Sequence, residues 1–243
     1  GLANNSVWAL TEDKWNRIWF TTLGGGLQML DLKTNKFTTW NTKNSTLPSD
    51  YMTSVTWTKK GWLMAGTSYF YSMVNPVSMQ LVSRTLPENP NITVNISSTS
   101  YIIEDSRGLI WQGSSSGLAV YDPKTKFMEL LDMTDGLIGS SINSIVEDKR
   151  KAVWVVTDHG VSQIVPIRQD DGKWQFNIRS FNSRDGLQKA TYNQRSTWVT
   201  RDGLLLIGGQ GGVDIINTAE LQEESSKERP VFSGLQIFDK DVE

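Results

Sequence analysis

Short runs in which apolar and polar residues alternate follow one another along most of the chain. Clear examples are Ser6-Val7-Trp8-Ala9-Leu10-Thr11-Glu12-Asp13, Tyr101-Ile102-Ile103-Glu104-Asp105 and Ser141-Ile142-Asn143-Ser144-Ile145-Val146-Glu147-Asp148. A period of two, carried by β-branched and aromatic residues and broken roughly every 8–12 residues by Gly, Asp or Asn, predicts short antiparallel strands. In the first part of the chain these are expected near residues 6–12, 17–22, 26–31 and 36–40. The breaks have turn chemistry, such as Gly before a third strand and Asp122-Pro123-Lys124-Thr125 before a fourth. No stretch holds a 3.6-residue period; the polar segment Thr218–Glu228 is the one helix candidate and reads as a linker.

The runs recur as a unit. Asp105-Ser106-Arg107-Gly108-Leu109-Ile110-Trp111-Gln112-Gly113 leads into Gly117-Leu118-Ala119-Val120-Tyr121-Asp122-Pro123. The same order runs from Asp13 with Gly26-Leu27, from Asp148 with Gly160-Val161, and from Asp202 with Gly212-Val213; the copy around Lys60-Gly61-Trp62 is the most divergent. One slot of the repeat holds Trp19, Met64, Trp111, Trp154 and Leu206, at spacings of 45, 47, 43 and 52 residues. Repeats of ~40–50 residues with about four strands each are the mark of β-propeller blades. The expected fold is therefore all-β, a β-propeller of four-stranded antiparallel blades with about five blades present. Their limits are expected near residues 1–43, 44–95, 96–134, 135–184 and 185–217, followed by a polar linker at 218–229 and a last strand within 230–243. The five slot residues are expected as blade core, in the second strand and against the neighbouring blade. Burying one indole there removes roughly 150–250 Å² from water, about 4–6 kcal/mol gross at ~25 cal/mol/Å².

Composition narrows the function. The 24 Lys and Arg against 26 Asp and Glu give a net charge of −2, without the basic excess that nucleic-acid binding needs. The chain has no Cys and one His, which excludes disulfides, thiolate nucleophiles, Cys-bound zinc and multi-His metal sites. No cofactor is expected. No apolar run approaches the ~18 residues of a membrane span, and the first residues lack the basic and apolar parts of an export signal. His159 sits in a turn and reads as solvated. Gly208-Gly209-Gln210-Gly211-Gly212 has neither the Lys-Ser/Thr nor the following helix of a phosphate loop. The pairs Glu12-Asp13, Glu104-Asp105 and Glu147-Asp148 recur at one repeat position, so they read as turn acceptors rather than a catalytic acid pair.

The repeat motif, Gly-Leu followed by Ile-x-Glu-Asp, Gly-x-Ile-Trp and Gly-Leu-x-x-Tyr-Asp-Pro, resembles the blade of the two-component regulator propeller family over residues 1–217. The tail Arg229-Pro230-Val231-Phe232-Ser233-Gly234-Leu235-Gln236-Ile237-Phe238 resembles the first strand of the immunoglobulin-like domain that follows such propellers. The resemblance implies the extracytoplasmic, periplasmic sensor region of a hybrid two-component histidine kinase, many of them from gut Bacteroidetes. It implies a parent that is a kinase, a chain that is itself non-catalytic, and contact with the membrane only through other parts of the parent. Five blades are fewer than the family's usual seven, so the expectation is the C-terminal piece of a larger propeller. An open arc of five blades would leave two apolar end faces, which predicts self-association or partial closure.

Ligand contacts are expected from loops on one face around the channel, through Asn5, Tyr51, Asn143, Tyr192, Asn193, Gln194 and Arg195. A Tyr to stack on a sugar, amides for hydroxyls and an Arg for a carboxylate or sulfate suit an acidic oligosaccharide. Two other readings stand beside glycan sensing: a protein-interaction scaffold or spacer, and a polysaccharide-acting propeller enzyme.

Overall fold

The computed structural model describes residues 1–67, 70–85, 101–188 and 191–221, and the backbone of 236–237 and 240–241. Its strands fall into successive antiparallel meanders, each strand paired with the one before it in sequence. Blade 1 consists of β1 (Val7–Glu12), β2 (Arg17–Thr22), β3 (Gly26–Asp31) and β4 (Lys36–Trp40), at the positions the alternation predicts. Blade 2 holds β5 (Ser54–Trp57), β6 (Leu63–Gly66), β7 (Phe70–Val74) and β8 (Leu81–Thr85). Blade 3 holds β9 (Tyr101–Glu104), β10 (Ile110–Gly113), β11 (Leu118–Asp122) and β12 (Phe127–Leu131). Blade 4 holds β13 (Ile142–Glu147), β14 (Val153–Thr157), β15 (Val161–Arg168) and β16 (Trp174–Phe181). Blade 5 has three strands among the described residues, β17 (Tyr192–Val199), β18 (Leu204–Gly209) and β19 (Gly212–Asn217). The tail contributes a short pair, β20 (Gln236–Ile237) and β21 (Lys240–Asp241); most of the linker and tail segment, residues 222–235, lies outside the described residues.

The first strands β1, β5, β9, β13 and β17 contact one another in order and surround the axis. The result is an all-β propeller with five blades in a ring. Between blades the core forms as expected. Trp19, Met64, Trp111 and Trp154 are each wholly buried in a second strand. Trp19 lies with Leu47, Met52, Leu63 and Ala65 of the next repeat, and Trp154 with Tyr192, Leu205 and Ile207 of blade 5. Leu206 departs from the expectation. Its neighbours Leu205 and Ile207 are the buried residues, and Leu206 is half-buried on the opposite face. That face is the one the slot residue turns toward the next blade, and no further blade covers it among the described residues. Trp198 and Ile215, paired with Leu206 across the sheet, are 69% and 63% exposed.

The recurring Asp explains why each indole is fixed. Trp19, Trp111 and Trp154 donate Nε1–H to Oδ2 of Asp13, Asp105 and Asp148, at 2.8, 3.1 and 2.8 Å. In each copy Oδ1 accepts the backbone N–H four residues on, from Arg17, Leu109 and Ala152. One carboxylate thus closes the first turn and anchors the core indole. Burial by itself would raise the Asp13 carboxyl, but hydrogen bonds from the Trp19 indole, the Trp15 N–H and Arg17 outweigh it and hold it below its ordinary value. A depressed folded pKa means stability that is present above the unfolded value of about 3.9 and lost as pH falls through the folded one. Asp13→Asn is therefore expected to be less stable than the parent chain at about pH 7, with the gap narrowing toward about pH 2. Urea midpoints across that range check it; a gap that is constant with pH would contradict the assignment.

Candidate functional site

β-Bulges are one way a sheet re-aims a side chain toward a site, and this ring has them at equivalent positions of its inner strands. The register shifts between Val7 and Ala9 in β1, between Ile142 and Ser144 in β13, and between Tyr192 and Thr197 in β17. The extra residues are Trp8, Asn143 and the longer insert Asn193–Ser196, in which Arg195 takes a left-handed φ of 61°.

The bulges bring blades 1 and 5 together. Arg195 Nη1 donates to the Trp8 carbonyl at 2.8 Å. The guanidinium lies 5.3 Å from the Trp8 ring centre and 5.9 Å from that of Tyr101 in blade 3. Burial pulls its pKa down to about 10, which leaves it charged at neutral pH. The axial cavity is about 350 Å³, within the size range of small-ligand sites, and is lined by Trp8, Leu10, Val55, Tyr101, Arg195 and Trp198. A second cavity of about 270 Å³ shares Tyr101 and Trp198 and carries Glu104 and Glu147. Burial raises the Glu147 carboxyl and the Tyr101 phenol. The axis therefore presents aromatic faces with a guanidinium in one cavity and carboxylates in the other.

The seven residues expected to hold a ligand divide. Tyr192 is buried, and its hydroxyl donates to Asp214 Oδ2; burial, and then that bond, push the phenol pKa well up. Asn143 is buried with Nδ2 donating to the Tyr192 carbonyl at 3.1 Å. Arg195 is the one that lines the axial cavity. Asn5, Asn193 and Gln194 are exposed, as is Tyr51, which pairs with Leu23 in an isolated bridge. Trp8, Tyr101 and Trp198 were not singled out by the sequence; the signal for Trp8 was the bulge, which needs the register of two strands to be seen. His159 is exposed, with Nδ1 2.8 Å from Asp158 Oδ1. Of the recurring carboxylates, Glu104 accepts the Lys59 N–H and Glu147 the Ser106 N–H, each from the first turn of the preceding blade.

Residues 1–24 match the family model described as two component regulator propeller, the family that the repeat motif resembles. No curated protein sequence matches the chain. Among solved structures, one described as the extracellular domain of a hybrid two component system from B. thetaiotaomicron is 20% identical with a TM-score of 0.69; the match covers 98% of this chain and 32% of that one. A second extracellular domain from B. thetaiotaomicron, also described as from a hybrid two component system, is 19% identical with a TM-score of 0.63, covering 87% of this chain and 27% of that one. A catalytically inactive virginiamycin B lyase from Staphylococcus aureus is 13% identical with a TM-score of 0.63, covering 88% of this chain and 71% of that one. At these identities the likeness establishes the propeller fold. The chain spans 27–32% of the length of the extracellular domains it matches.

Proposed function

We propose that this chain is part of the extracytoplasmic, periplasmic sensor region of a hybrid two-component receptor. In this reading it is non-catalytic, binds a glycan-derived ligand, and passes the signal on by a change in how receptor chains pack. The observation that carries the reading is the coincidence of the family match at residues 1–24 with a fold likeness, over nearly the whole chain, to extracellular domains of such systems. The axial cavity supports it chemically: Trp8, Tyr101 and Trp198 offer stacking faces and Arg195 a charge for a carboxylate or sulfate. Calorimetry of the purified chain with acidic and neutral oligosaccharides tests it. Binding of an acidic member, weakened roughly 5–10-fold by Trp198→Ala, is the expected result. No binding by any member, or turnover of one, would overturn it.

We further propose that the chain self-associates through its end faces. Ile18 and Phe20 occupy the positions at which Val153 and Val155 of blade 4 meet the blade 3 core, and Leu206 occupies the slot that elsewhere turns toward a following blade. The blade 1 and blade 5 faces are thus complementary halves of one blade junction, and the uncovered blade 5 face around Leu206, Trp198 and Ile215 packs against a second copy. Light scattering checks this; a strictly monomeric chain at micromolar concentration would count against it.

A further inference from the structure

The turns between first and second strands line the end of the ring opposite the expected ligand loops, and each lies beside the turn of the next blade. Blades 3 and 4 bridge these junctions with arginine. Arg107 donates to the Lys151 carbonyl at 2.5 Å and to Glu147 Oε1 at 3.3 Å, and Arg150 to the carbonyls of Thr218 and Ala219 at 3.1 and 3.2 Å. Two residues after the recurring Asp is the position of both arginines. In blade 1 that position holds Trp15.

Two further departures meet it. Where blades 3 and 4 carry Glu104 and Glu147, blade 2 carries Trp57, whose Nε1–H donates to Thr11 Oγ1 and the Glu12 carbonyl at 3.0 and 3.2 Å. Where blades 3 and 4 carry Leu109 and Ala152, blade 2 carries Trp62. All three indoles line one cleft of about 420 Å³ between blades 1 and 2, together with Lys14, Lys60 and Asn75. The position that bridges the junction elsewhere here bounds an open space, of a size suited to a small ligand.

The cleft is preorganised. Arg17 pairs with Asp13 at 2.5 Å, donates to the Pro76 carbonyl at 2.7 Å, and lies 4.8 and 5.5 Å from the ring centres of Trp15 and Trp19. It holds the Trp15 indole in place, and its charge is matched by Asp13. The remaining charges lining the cleft are the ammoniums of Lys14 and Lys60 against the single carboxylate of Glu12.

We infer that this cleft is a second ligand site, distinct from the axial cavity, for a small anion with a flat apolar face. The Lys14 ammonium lies 4.7 Å from the Trp15 ring centre, so Trp15 holds that ammonium at the cleft; the Trp57 and Trp62 indoles take the face by stacking, and the ammoniums of Lys14 and Lys60 take the carboxylate or sulfate. The shared chemistry belongs equally to a uronic-acid sugar and to an aryl carboxylate. The inference rests on the ligand-binding reading above only in that both need the chain to bind a small molecule.

Calorimetry with two probes, a uronic-acid trisaccharide and phenylacetate, on the parent chain, on Trp198→Ala, on Trp15→Ala and on the double variant Lys14→Gln/Lys60→Gln tests it. The expected result is binding of at least one probe that weakens about 10-fold in Trp15→Ala and in the double variant, while Trp198→Ala leaves this component unchanged. The double variant replaces exposed side chains, so it keeps the test valid even if Trp15→Ala disturbs the turn. Which probe binds separates sugar from aryl acid. Binding untouched in both cleft variants but lost in Trp198→Ala would overturn the cleft and leave the axial site standing. Absence of binding by either probe to the parent chain would overturn the cleft as well.

Discussion

Replacing Trp154 with Ala is expected to cost about 4 kcal/mol of folding stability, the middle of the range for a buried aromatic. The ring is wholly buried, stacks 5.9 Å from Phe181 and lies among Tyr192, Leu205 and Ile207 of blade 5. Its removal opens a cavity across the junction of two blades rather than inside one, so the junction cannot close without shifting a whole sheet. It also takes away the donor to Asp148 Oδ2, leaving a buried carboxylate oxygen short of a partner. Trp154→Phe separates the two losses, since it retains most of the apolar area and drops the hydrogen bond; about 2 kcal/mol is expected. Trp198→Ala, at an exposed indole on the uncovered face, is expected to stay within about 0.5 kcal/mol. Urea unfolding followed by circular dichroism reads all three. A Trp154→Ala cost below about 1 kcal/mol would mean that blades 4 and 5 do not pack in solution as they do here.

That contrast marks how far the sequence alone could be read. The strands of blade 1 and the buried slot at Trp19, Met64, Trp111 and Trp154 were legible because alternation and repetition are local signals. The role of the recurring Asp was legible too, since a function repeated in each copy reads as architecture; that Glu104 and Glu147 reach to the turn of the preceding blade was not. Leu206 sits in the same slot and was expected in the core; its exposure depends on whether another blade covers it, which no local pattern records. Tyr192 fails for a related reason. Its hydroxyl meets Asp214 two strands away, so a residue that looks available for a ligand is already engaged. The Arg195 contact to Trp8 joins positions 187 residues apart, and only the closing of the ring brings them together. The indole cleft was legible in principle: Trp15, Trp57 and Trp62 are departures from the repeat, and departures that converge in space are where a repeat fold places something other than architecture.

Gly26→Ala is expected to cost about 3 kcal/mol, from a left-handed backbone and a clash acting together. Gly26 has φ +75°, and a Cβ there would lie 2.2 Å from the Trp40 carbonyl oxygen. That oxygen is backbone of the fourth strand, β4, so relief requires moving the strand itself. Gly212 opens the third strand of blade 5 in the same way, with φ +132°, yet a Cβ there meets nothing within 4 Å. Blade 5 has no fourth strand among the described residues to supply the obstructing carbonyl. Gly212→Ala is therefore expected to cost only the backbone strain, about 1–2 kcal/mol. The matched comparison is Gly160, which leads into the third strand of blade 4 at φ +152° and whose added Cβ would lie 2.3 Å from the Phe181 carbonyl oxygen of the fourth strand; the difference between Gly160→Ala and Gly212→Ala is a reporter for the fourth strand. A Gly212→Ala cost equal to that of Gly160→Ala would show that a strand covers the edge of β19 in solution, supplied by the tail or by a second copy. A cost that rises with protein concentration would assign that strand to the second copy, since only a bimolecular contact depends on concentration.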